Sequence, residues 1–358
     1  MAERNPKELA RDGLLTALAW VAERRSRRHP AVAVVTYHRV APADERPDLL
    51  PGLAVTPEHF AEQVQMFALH AEPVSLDDLL AAADGGPALP PRAVHVTFDD
   101  AYSCIEEHAW PVLRDLGVPA SLYVPTRYPD QGRTFWWDRL HQAVTNHSGW
   151  KLCVDGRTWQ TGTAEQRARA RDDLKALVGQ RPHRDAMALV DEVCEVTGCP
   201  PAEPATSSWA GLRTMASEGL AIGSHSRHHP FLDRLDPERL DCEIAGSLSD
   251  LFQQLGPAAR PAIAYPGGHV DDATLAATAR AGIRVGFTTS RGVAAGDQAP
   301  DWLQLPRINV GRRASAPLVR VQLRPEPHRV HDLARTAPST RSRPGKDHQP
   351  APRRALWN

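Results

Sequence analysis

Short apolar segments recur along the chain and predict the strands of one sheet. The first, Ala31 to Thr36, is an almost continuous run rich in β-branched residues, which is typical of a strand buried on both faces. Similar segments lie at 94–98, 120–124, 220–223, 262–265, 285–288 and 305–310. Helical segments separate most of them, and this alternation favours parallel pairing of the strands. We therefore predict an α/β fold.

Helix signals lie between these strands. Thr56 followed by Pro57 is an N-cap residue before a first-turn proline, and it predicts the start of a helix. Further helices are predicted at 76–83, 105–116, 208–216, 237–255 and 271–281. The segment 139–205 is polar and rich in Arg, Ala, Glu and Leu. We expect a helical insertion or lid there rather than strands of the sheet.

The two ends of the chain differ from the main domain, which we predict at 31–334. Residues 1–30 contain the apolar run Leu14 to Ala22, which is too short to cross a bilayer and has no small-residue cleavage site. We predict an amphipathic helix with at most weak contact to a membrane surface, and we expect a cytoplasmic protein. Residues 335–358 are rich in Pro, Ser and Arg, which predicts a disordered basic tail.

Composition narrows the possible partners. The chain has 42 Lys and Arg against 43 Asp and Glu, so its net charge gives no reason to expect a nucleic-acid partner. The five cysteines are scattered and odd in number, which does not fit a disulfide framework or a zinc finger. Reduced thiols are expected.

Two adjacent carboxylates, Asp99 and Asp100, follow the predicted strand at 94–98. Neighbouring carboxylates repel each other, and a chain tolerates them most easily when a cation or a proton lies between them. The alternative is that one of them is an ordinary helix N-cap.

Further along, His225 and His229 are four positions apart, so on one helical turn both imidazoles would face the same side. That spacing suits two ligands of one divalent metal with a carboxylate as the third, although such a pair alone is more often surface or capping chemistry.

Other residues near strand ends are candidates for the same site. His38 follows the first strand and is either a structural residue or part of a site at the carboxyl ends of the strands. Trp136, Trp137 and Asp138 suit stacking on a sugar ring, but buried tryptophans that anchor an insertion are equally common. Three nitrogen and oxygen ligands would leave an open metal position for water, which indicates a metal hydrolase.

Four stretches resemble the polysaccharide deacetylase family, the carbohydrate esterases with NodB homology. Thr97 to Tyr102 resembles the first motif of the family, although Ala101 stands where glycine is usual. His225 to Pro230 resembles the second motif, Ala264 to Gly268 the third, and Leu305 to Ile308 the closing strand. The likeness runs from about residue 31 to about residue 310.

The resemblance implies a distorted (β/α) barrel, often with seven strands, and a hydrolytic site at the strand ends. Asp100, His225 and His229 would hold a divalent metal, usually Zn²⁺ and sometimes Co²⁺ or Ni²⁺. Asp99 would be the general base. The late Leu-x-His motif that usually carries the general acid is absent after residue 310. Tyr37-His38 resembles the first-strand position of permuted members, so His38 is the expected acid.

Further roles are implied for the remaining motif residues. An oxyanion would be bound by a backbone N–H near Tyr265, within the turn that continues through Pro266 and Gly267. Arg307 would orient Asp99 or the substrate, and Trp137 with Asp138 would shape the sugar site. His228 would point away from the metal.

The function implied is removal of an acetyl group from an N-acetylated sugar, such as a glycan, a lipid-linked or nucleotide-linked precursor, or a glycosylated metabolite. Two alternatives remain at this stage. One is a hydrolase of the same fold that acts on a cyclic imide or ureide. The other is an inactive carbohydrate-binding relative, which would have lost a ligand or the base, whereas all four residues are present in this sequence.

Overall fold

Seven parallel strands close into a barrel in the computed structural model, which describes residues 11–16, 31–42, 52–200, 205–295 and 300–324. In chain order the strands are β1 (Ala31–Tyr37), β2 (Ala93–Phe98), β3 (Ala120–Val124), β4 (Ala221–Ser224), β5 (Ala259–Ala264), β6 (Val285–Arg291) and β7 (Leu305–Asn309). Each strand pairs with the next in the chain, and β1 pairs with both β2 and β7. Register shifts between β4 and β5 and between β6 and β7 make the barrel irregular. The predicted distorted α/β barrel with seven strands is confirmed.

Helices surround the barrel and fill most of the connections. They are α1 (Pro57–His70), α2 (Leu76–Ala83), α3 (Trp110–Asp115), α4 (Trp136–Thr145), α5 (Ala164–Gly179), α6 (His183–Thr197), α7 (Trp209–Ser217), α8 (Pro237–Leu255), α9 (Asp272–Arg280) and α10 (Ala316–Gln322). The predicted cap of α1 is confirmed, since the Thr56 hydroxyl accepts the N–H of His59. A π-helical turn, Ile105–Ala109, precedes α3, so the helix predicted at 105–116 is present but begins in a wider form.

The barrel strands are buried on both faces, as the first strand pattern predicted. Val32 and Val34 of β1 face the interior, where they belong to one buried cluster with Leu76 and Leu79 of α2. Tyr37 belongs to the outer cluster, in which its ring meets Phe60 of α1 edge-on at 5.1 Å. Apolar side chains fill much of the interior, together with a few buried polar groups such as His95 and Ser121 that hydrogen-bond to each other.

Short strands add to this framework. Glu72–Pro73 extends the sheet beside β2, and Ala294–Ala295 lies antiparallel to β1. Arg39–Val40 pairs with Ala54–Val55 just beyond β1.

The segment between β3 and β4 contains the predicted insertion. Helices α5 and α6 confirm its helical character, but Lys151–Val154 and Arg157–Gln160 form an antiparallel hairpin that was not predicted. Asp155 and Gly156 form its turn with φ of 52° and 65°. An Asp-Gly pair between short strands is the sequence signal for such a turn, so the hairpin could have been identified.

The chain ends are described only in part. Residues 11–16 are helical, Leu15 is buried, and the Ser315 hydroxyl donates to Asp12 at 2.8 Å. The rest of the predicted 1–30 helix and the predicted tail at 335–358 lie outside the described residues. Within the part of the chain that the structure describes, no helix has the length and apolar character needed to cross a membrane.

Candidate active site

The candidate residues of four motifs meet at one end of the barrel. Asp99 and Asp100 follow β2, His38 follows β1, His225 follows β4 and Tyr265 follows β5. Since all barrel strands are parallel, their carboxyl ends lie at the same rim. The barrel therefore brings together residues as far apart in the sequence as His38 and Tyr265, which are 227 positions apart.

Asp100, His225 and His229 form a compact cluster. The Oδ1 atom of Asp100 lies 3.4 Å from Nε2 of His225 and 3.4 Å from Nε2 of His229. One nitrogen or oxygen atom from each residue lies within 4.8 Å of the others, and within the described ranges no other group of His, Cys, Asp and Glu meets this condition. All three residues are buried. The structure thus brings together the three residues expected to bind metal.

The predicted helical turn for this histidine pair is wrong. Residues 225–229 form a loop after β4, in which Ser226 and His229 have φ of 62° and 57°. The Ser226 hydroxyl accepts the N–H of His229 at 3.1 Å, so the loop is held by a side chain instead of by helical hydrogen bonds. The two imidazole rings still converge, with centroids 4.7 Å apart.

Helix α8 anchors this loop through two carboxylates. Glu243 accepts the backbone N–H groups of Arg227 and His228, both at 2.9 Å, and Nδ1 of His228 at 2.7 Å. Asp250 accepts two hydrogen bonds from the Arg227 guanidinium at 2.9 Å. His228 therefore faces Glu243 and is not part of the cluster. Sequence reasoning missed both carboxylates, because nothing in a helix pattern shows which loop an acidic side chain reaches.

The donor set fits a divalent metal. Nδ1 of His225 lies 2.6 Å from the carbonyl oxygen of Ala264, which can only accept, so this nitrogen carries the proton and Nε2 is oriented toward Asp100. Burial opposes ionisation of Asp100, but its contacts with the His225 and His229 imidazoles at 3.4 Å outweigh that effect and lower its pKa. Burial also lowers the pKa of His225, yet Asp99 and Asp100 reverse that effect and raise it. Two imidazoles and one ionised carboxylate are the ligands that Zn²⁺, Co²⁺ and Ni²⁺ accept.

Asp99 does not belong to the cluster and is paired with Arg307. The guanidinium donates to Oδ1 at 2.8 Å and to Oδ2 at 2.7 Å. Arg307 also donates to the Thr288 carbonyl and to the Thr36 hydroxyl, so its position is fixed by β6 and β1. Burial raises the pKa of Asp99, but the charges of Arg307 and His225 and the hydrogen bonds from Arg307 together outweigh it, and the pKa falls below the ordinary value. This geometry makes Asp99 an ionised carboxylate beside the cluster of Asp100, His225 and His229.

His38 lies at the neighbouring strand end. The N–H of Asp99 donates to the Tyr37 carbonyl at 3.0 Å. His38, the next residue after Tyr37, is therefore beside the pair Asp99 and Asp100. Its Nδ1 atom is buried and has no hydrogen-bond partner among the described residues. Burial lowers the pKa of His38, while the charges of Asp100 and Asp99 act in the opposite direction.

The turn after β5 narrows the choice of an oxyanion donor. The N–H of Tyr265 donates to the Phe287 carbonyl at 3.0 Å, and Pro266 has no N–H, so neither residue offers a free amide to an oxyanion. The Tyr265 ring is buried outside the barrel with Ile244 of α8. Gly267, with φ of 66°, supplies the first remaining amide of this turn.

Trp137 and Asp138 lie in the first turn of α4, beside the cluster. The centroid of the Trp137 ring is 4.6 Å from that of His229, and its Nε1 donates to the Tyr102 hydroxyl at 2.9 Å. Asp138 accepts hydrogen bonds from Tyr102 and from Arg39. The sequence alone assigned no role to Arg39 or Tyr102, although Arg39 follows His38 and Tyr102 is the last residue of the first motif. The side chains of Trp137 and Asp138 are thus held by contacts within the protein.

Solved structures share this fold. The Streptococcus pyogenes deacetylase PplD in complex with acetate superposes with a TM-score of 0.57 at 20% identity, covering 82% of this chain and 99% of that one. A polysaccharide deacetylase from Bacillus cereus gives a TM-score of 0.55 at 16% identity over 83% of this chain and 70% of that one. IcaB from Ammonifex degensii gives 0.53 at 20% identity over 82% and 97%.

Sequence comparison supports the same relationship. The putative polysaccharide deacetylase YxkH of Bacillus subtilis is 33% identical over 105 residues, which is 29% of this chain and 37% of that relative. The matched stretch therefore spans little more than a third of its length. The family model for polysaccharide deacetylase matches residues 86–183 and 188–286, more than half of the chain. With the barrel and the motif residues at its rim, this match shows that the chain belongs to the polysaccharide deacetylase family, hydrolases of carbon–nitrogen bonds other than peptide bonds.

Proposed function

We propose that this protein removes the acetyl group from an N-acetylated sugar with the aid of a divalent metal ion and releases acetate. The observation that supports it most is the convergence of Asp100, His225 and His229 beside Asp99, a carboxylate that does not belong to the cluster. Such a site has separate groups for metal binding and for proton transfer. The solved relative PplD in complex with acetate is consistent with this product class.

Asp100, His225 and His229 would hold the ion, with Zn²⁺ the first choice and Co²⁺ or Ni²⁺ also suitable. When bound, a divalent ion of this kind polarises an acyl oxygen and makes a nearby water more acidic. The loop of residues 225–229 and its contacts with α8 keep the two imidazoles in place for this purpose.

The remaining residues would supply proton transfer and positioning. Asp99 takes a proton from the attacking water, while Arg307 holds both of its oxygens and keeps it ionised. His38, at the adjacent strand end, gives a proton to the departing amine. The Gly267 amide donates to the oxygen of the tetrahedral intermediate. Trp137 with Asp138 shapes the sugar side of the site.

The test combines metal content with acetate release. Purified protein is loaded with Zn²⁺ and offered N-acetylhexosamines, their oligomers and sugar phosphates, with cyclic imides and ureides as the comparison panel. Acetate and a mass loss of one acetyl group are expected only from the sugars. Turnover of the cyclic amides alone, or no turnover of any compound by metal-loaded protein, would overturn the proposal.

Two variants separate the roles of the carboxylates. Asp100→Asn is expected to lose bound metal, whereas Asp99→Asn keeps the metal and loses about 10²- to 10⁴-fold in kcat. Asp173→Asn, an exposed position on α5, is the matched control. Full turnover by metal-loaded Asp99→Asn would show that Asp99 is not the base.

A further inference from the structure

Tyr102 links helix α4 to the rim of the barrel. It comes two positions after Asp100, and its side chain is fully buried. Its hydroxyl accepts a hydrogen bond from Nε1 of Trp137 at 2.9 Å and donates one to Oδ2 of Asp138 at 3.0 Å. Both partners lie in the first turn of α4. One hydroxyl therefore ties the start of that helix to the segment that carries the carboxylate pair.

A buried ion pair fixes the direction of this hydroxyl. The Arg39 guanidinium donates to the same Oδ2 atom of Asp138 and lies over the Tyr102 ring, 3.7 Å from its centroid. An arginine held between a carboxylate and an aromatic face has little freedom to move. Because the Tyr102 hydroxyl gives its one proton to Asp138, its lone pairs are directed to the Trp137 N–H.

Trp137 is enclosed by other rings, and His229 is one of them. The indole stacks nearly parallel on Phe135, with centroids 4.5 Å apart and an interplanar angle of 16°. The His229 imidazole lies 4.6 Å away at an angle of 57°. Only 9% of Trp137 is exposed. The face that Phe135 covers cannot stack on a sugar ring, whereas the contact with His229 bears directly on the cluster.

The two histidines of the cluster are oriented in different ways. The ring of His225 is fixed by the contact of its Nδ1 with the Ala264 carbonyl, a usual device for metal ligands. Within the described residues, Nδ1 of His229 has no hydrogen bond to another residue. Its ring instead packs against Trp137 and, at 5.9 Å, against Phe135. Aromatic packing therefore takes the place of the missing hydrogen bond.

We propose that Tyr102 is a positioning residue for metal binding. By holding the Trp137 indole through its hydroxyl, it keeps the His229 imidazole turned toward Asp100 and His225. The start of α4 is thereby a supporting wall of the metal site. This inference rests on the metal site of the function proposed above, and it assigns a role to Tyr102 and to the Arg39–Asp138 pair that fixes it.

Metal affinity tests this role without any substrate. Zn²⁺ binding is measured by competition with a chromogenic chelator. Tyr102→Phe removes only the hydroxyl and is expected to weaken Zn²⁺ binding by about tenfold, the lower end of what groups that orient metal ligands contribute. An affinity equal to that of the wild type would overturn the proposal.

Tyr123→Phe is the matched control. Tyr123 is also fully buried, and its hydroxyl accepts a hydrogen bond from Ser121 at 3.1 Å within the barrel. Urea unfolding of the metal-free proteins should show a loss of stability in both tyrosine variants, but only Tyr102→Phe should lose Zn²⁺ affinity. A loss as large in Tyr123→Phe would show that the effect is general destabilisation and would overturn the positioning role.

A double-mutant cycle shows whether Tyr102 acts through Trp137. Trp137→Leu removes the ring against His229 and should lower Zn²⁺ affinity by about tenfold or more. In that background, Tyr102→Phe should change the affinity by less than about twofold, because the group that the hydroxyl holds is gone. Trp150→Leu, at a tryptophan that is exposed beside the hairpin, is the control and should bind Zn²⁺ like the wild type. Additive effects of the two substitutions would overturn the proposed route.

Trp137→Phe tests the same hydrogen bond from its other side, and it serves if Tyr102→Phe does not fold. It keeps an aromatic ring but has no N–H for the Tyr102 hydroxyl, so a weaker Zn²⁺ affinity is expected. Wild-type affinity in this variant would overturn the proposal.

The outcomes for the proposed function are separate. A wild type that binds no Zn²⁺ would overturn the metal site and this inference with it. A wild type that binds Zn²⁺ and gives the expected cycle, but releases no acetate from any N-acetylated sugar, would overturn the deacetylase function and support the role of Tyr102.

Discussion

The guanidinium of Arg307 donates to both carboxylate oxygens of Asp99, at 2.8 and 2.7 Å, although 208 positions separate the two residues. Both side chains are almost fully buried, with exposures of 1% and 4%. Arg307 belongs to the last barrel strand and Asp99 follows the second, so the pair forms only when the barrel closes. It links closure of the barrel to the geometry of the proposed base.

Arg307→Lys should lower kcat more than it changes KM. Lysine keeps the charge but cannot make two parallel hydrogen bonds, so Asp99 loses its fixed orientation. We expect kcat to fall by about tenfold or more while bound metal is retained. Arg307→Ala should in addition destabilise the fold by about 3–5 kcal/mol, because it leaves a buried carboxylate unpaired. Steady-state kinetics, metal analysis and urea unfolding measure these effects, and Arg291→Lys on the exposed part of β6 is the control. An unchanged kcat in Arg307→Lys would contradict the positioning role.

Position 101 should accept glycine and reject a β-branched residue. Ala101 is buried with φ of 52°, a conformation that costs alanine about 1–2 kcal/mol and glycine little. Glycine also removes one buried methyl group, worth about 0.8 kcal/mol, so Ala101→Gly should change stability by less than about 1 kcal/mol. Ala101→Val should cost more than about 2 kcal/mol and weaken metal binding, since it displaces the neighbouring Asp100. Urea unfolding and metal titration check both, and a fully stable Ala101→Val would refute the strain argument.

Glu243→Ala should loosen the histidine loop. The substitution leaves the N–H groups of Arg227 and His228 without their acceptor, which should cost about 1–3 kcal/mol. Residues that support metal ligands typically contribute about 10- to 100-fold to metal affinity, and we expect a loss of that size in a chelator competition assay. Glu243→Gln keeps an acceptor oxygen and should recover most of the affinity. Gln253→Ala, exposed on the same helix, is the control, and a loss as large in the glutamine variant would point to charge instead of loop geometry.

The buried His95 should make the protein less stable in mild acid. Burial lowers its pKa to about 4, and its two nitrogens contact the Val74 carbonyl and the Ser121 hydroxyl. In the unfolded chain the pKa returns to about 6.5, so between pH 6.5 and 4 the unfolded state binds more protons. The contribution of His95 is therefore complete above pH 6.5 and is lost as the pH falls toward 4, to a total of about 3 kcal/mol.

Urea unfolding of the wild type and of His95→Asn at pH 7.5, 6 and 5 measures this dependence. The free energy of unfolding of the wild type should fall more steeply than that of the variant. His147→Asn, at a position away from the barrel interior, should follow the wild type. Parallel curves for wild type and His95→Asn would contradict the assignment.

Local patterns in the sequence determined the class of fold and pointed to the candidate site residues. The apolar runs identified the seven barrel strands, because a strand buried on both faces must be apolar along its whole length. Asp99, Asp100, His225 and His229 were recognisable because each pair is close in the sequence. The hairpin turn at Asp155 and Gly156 was also encoded locally and was missed.

Only the tertiary structure decided which groups meet and in what conformation. The loop of residues 225–229 adopts left-handed φ values, since Glu243 and Asp250 of a later helix satisfy its polar groups. Two further contacts join different strands in the same way. Arg307 pairs with Asp99, and the Tyr265 N–H donates to the Phe287 carbonyl. Contacts of this kind leave no periodic signal in the sequence, because their geometry depends on how the barrel closes.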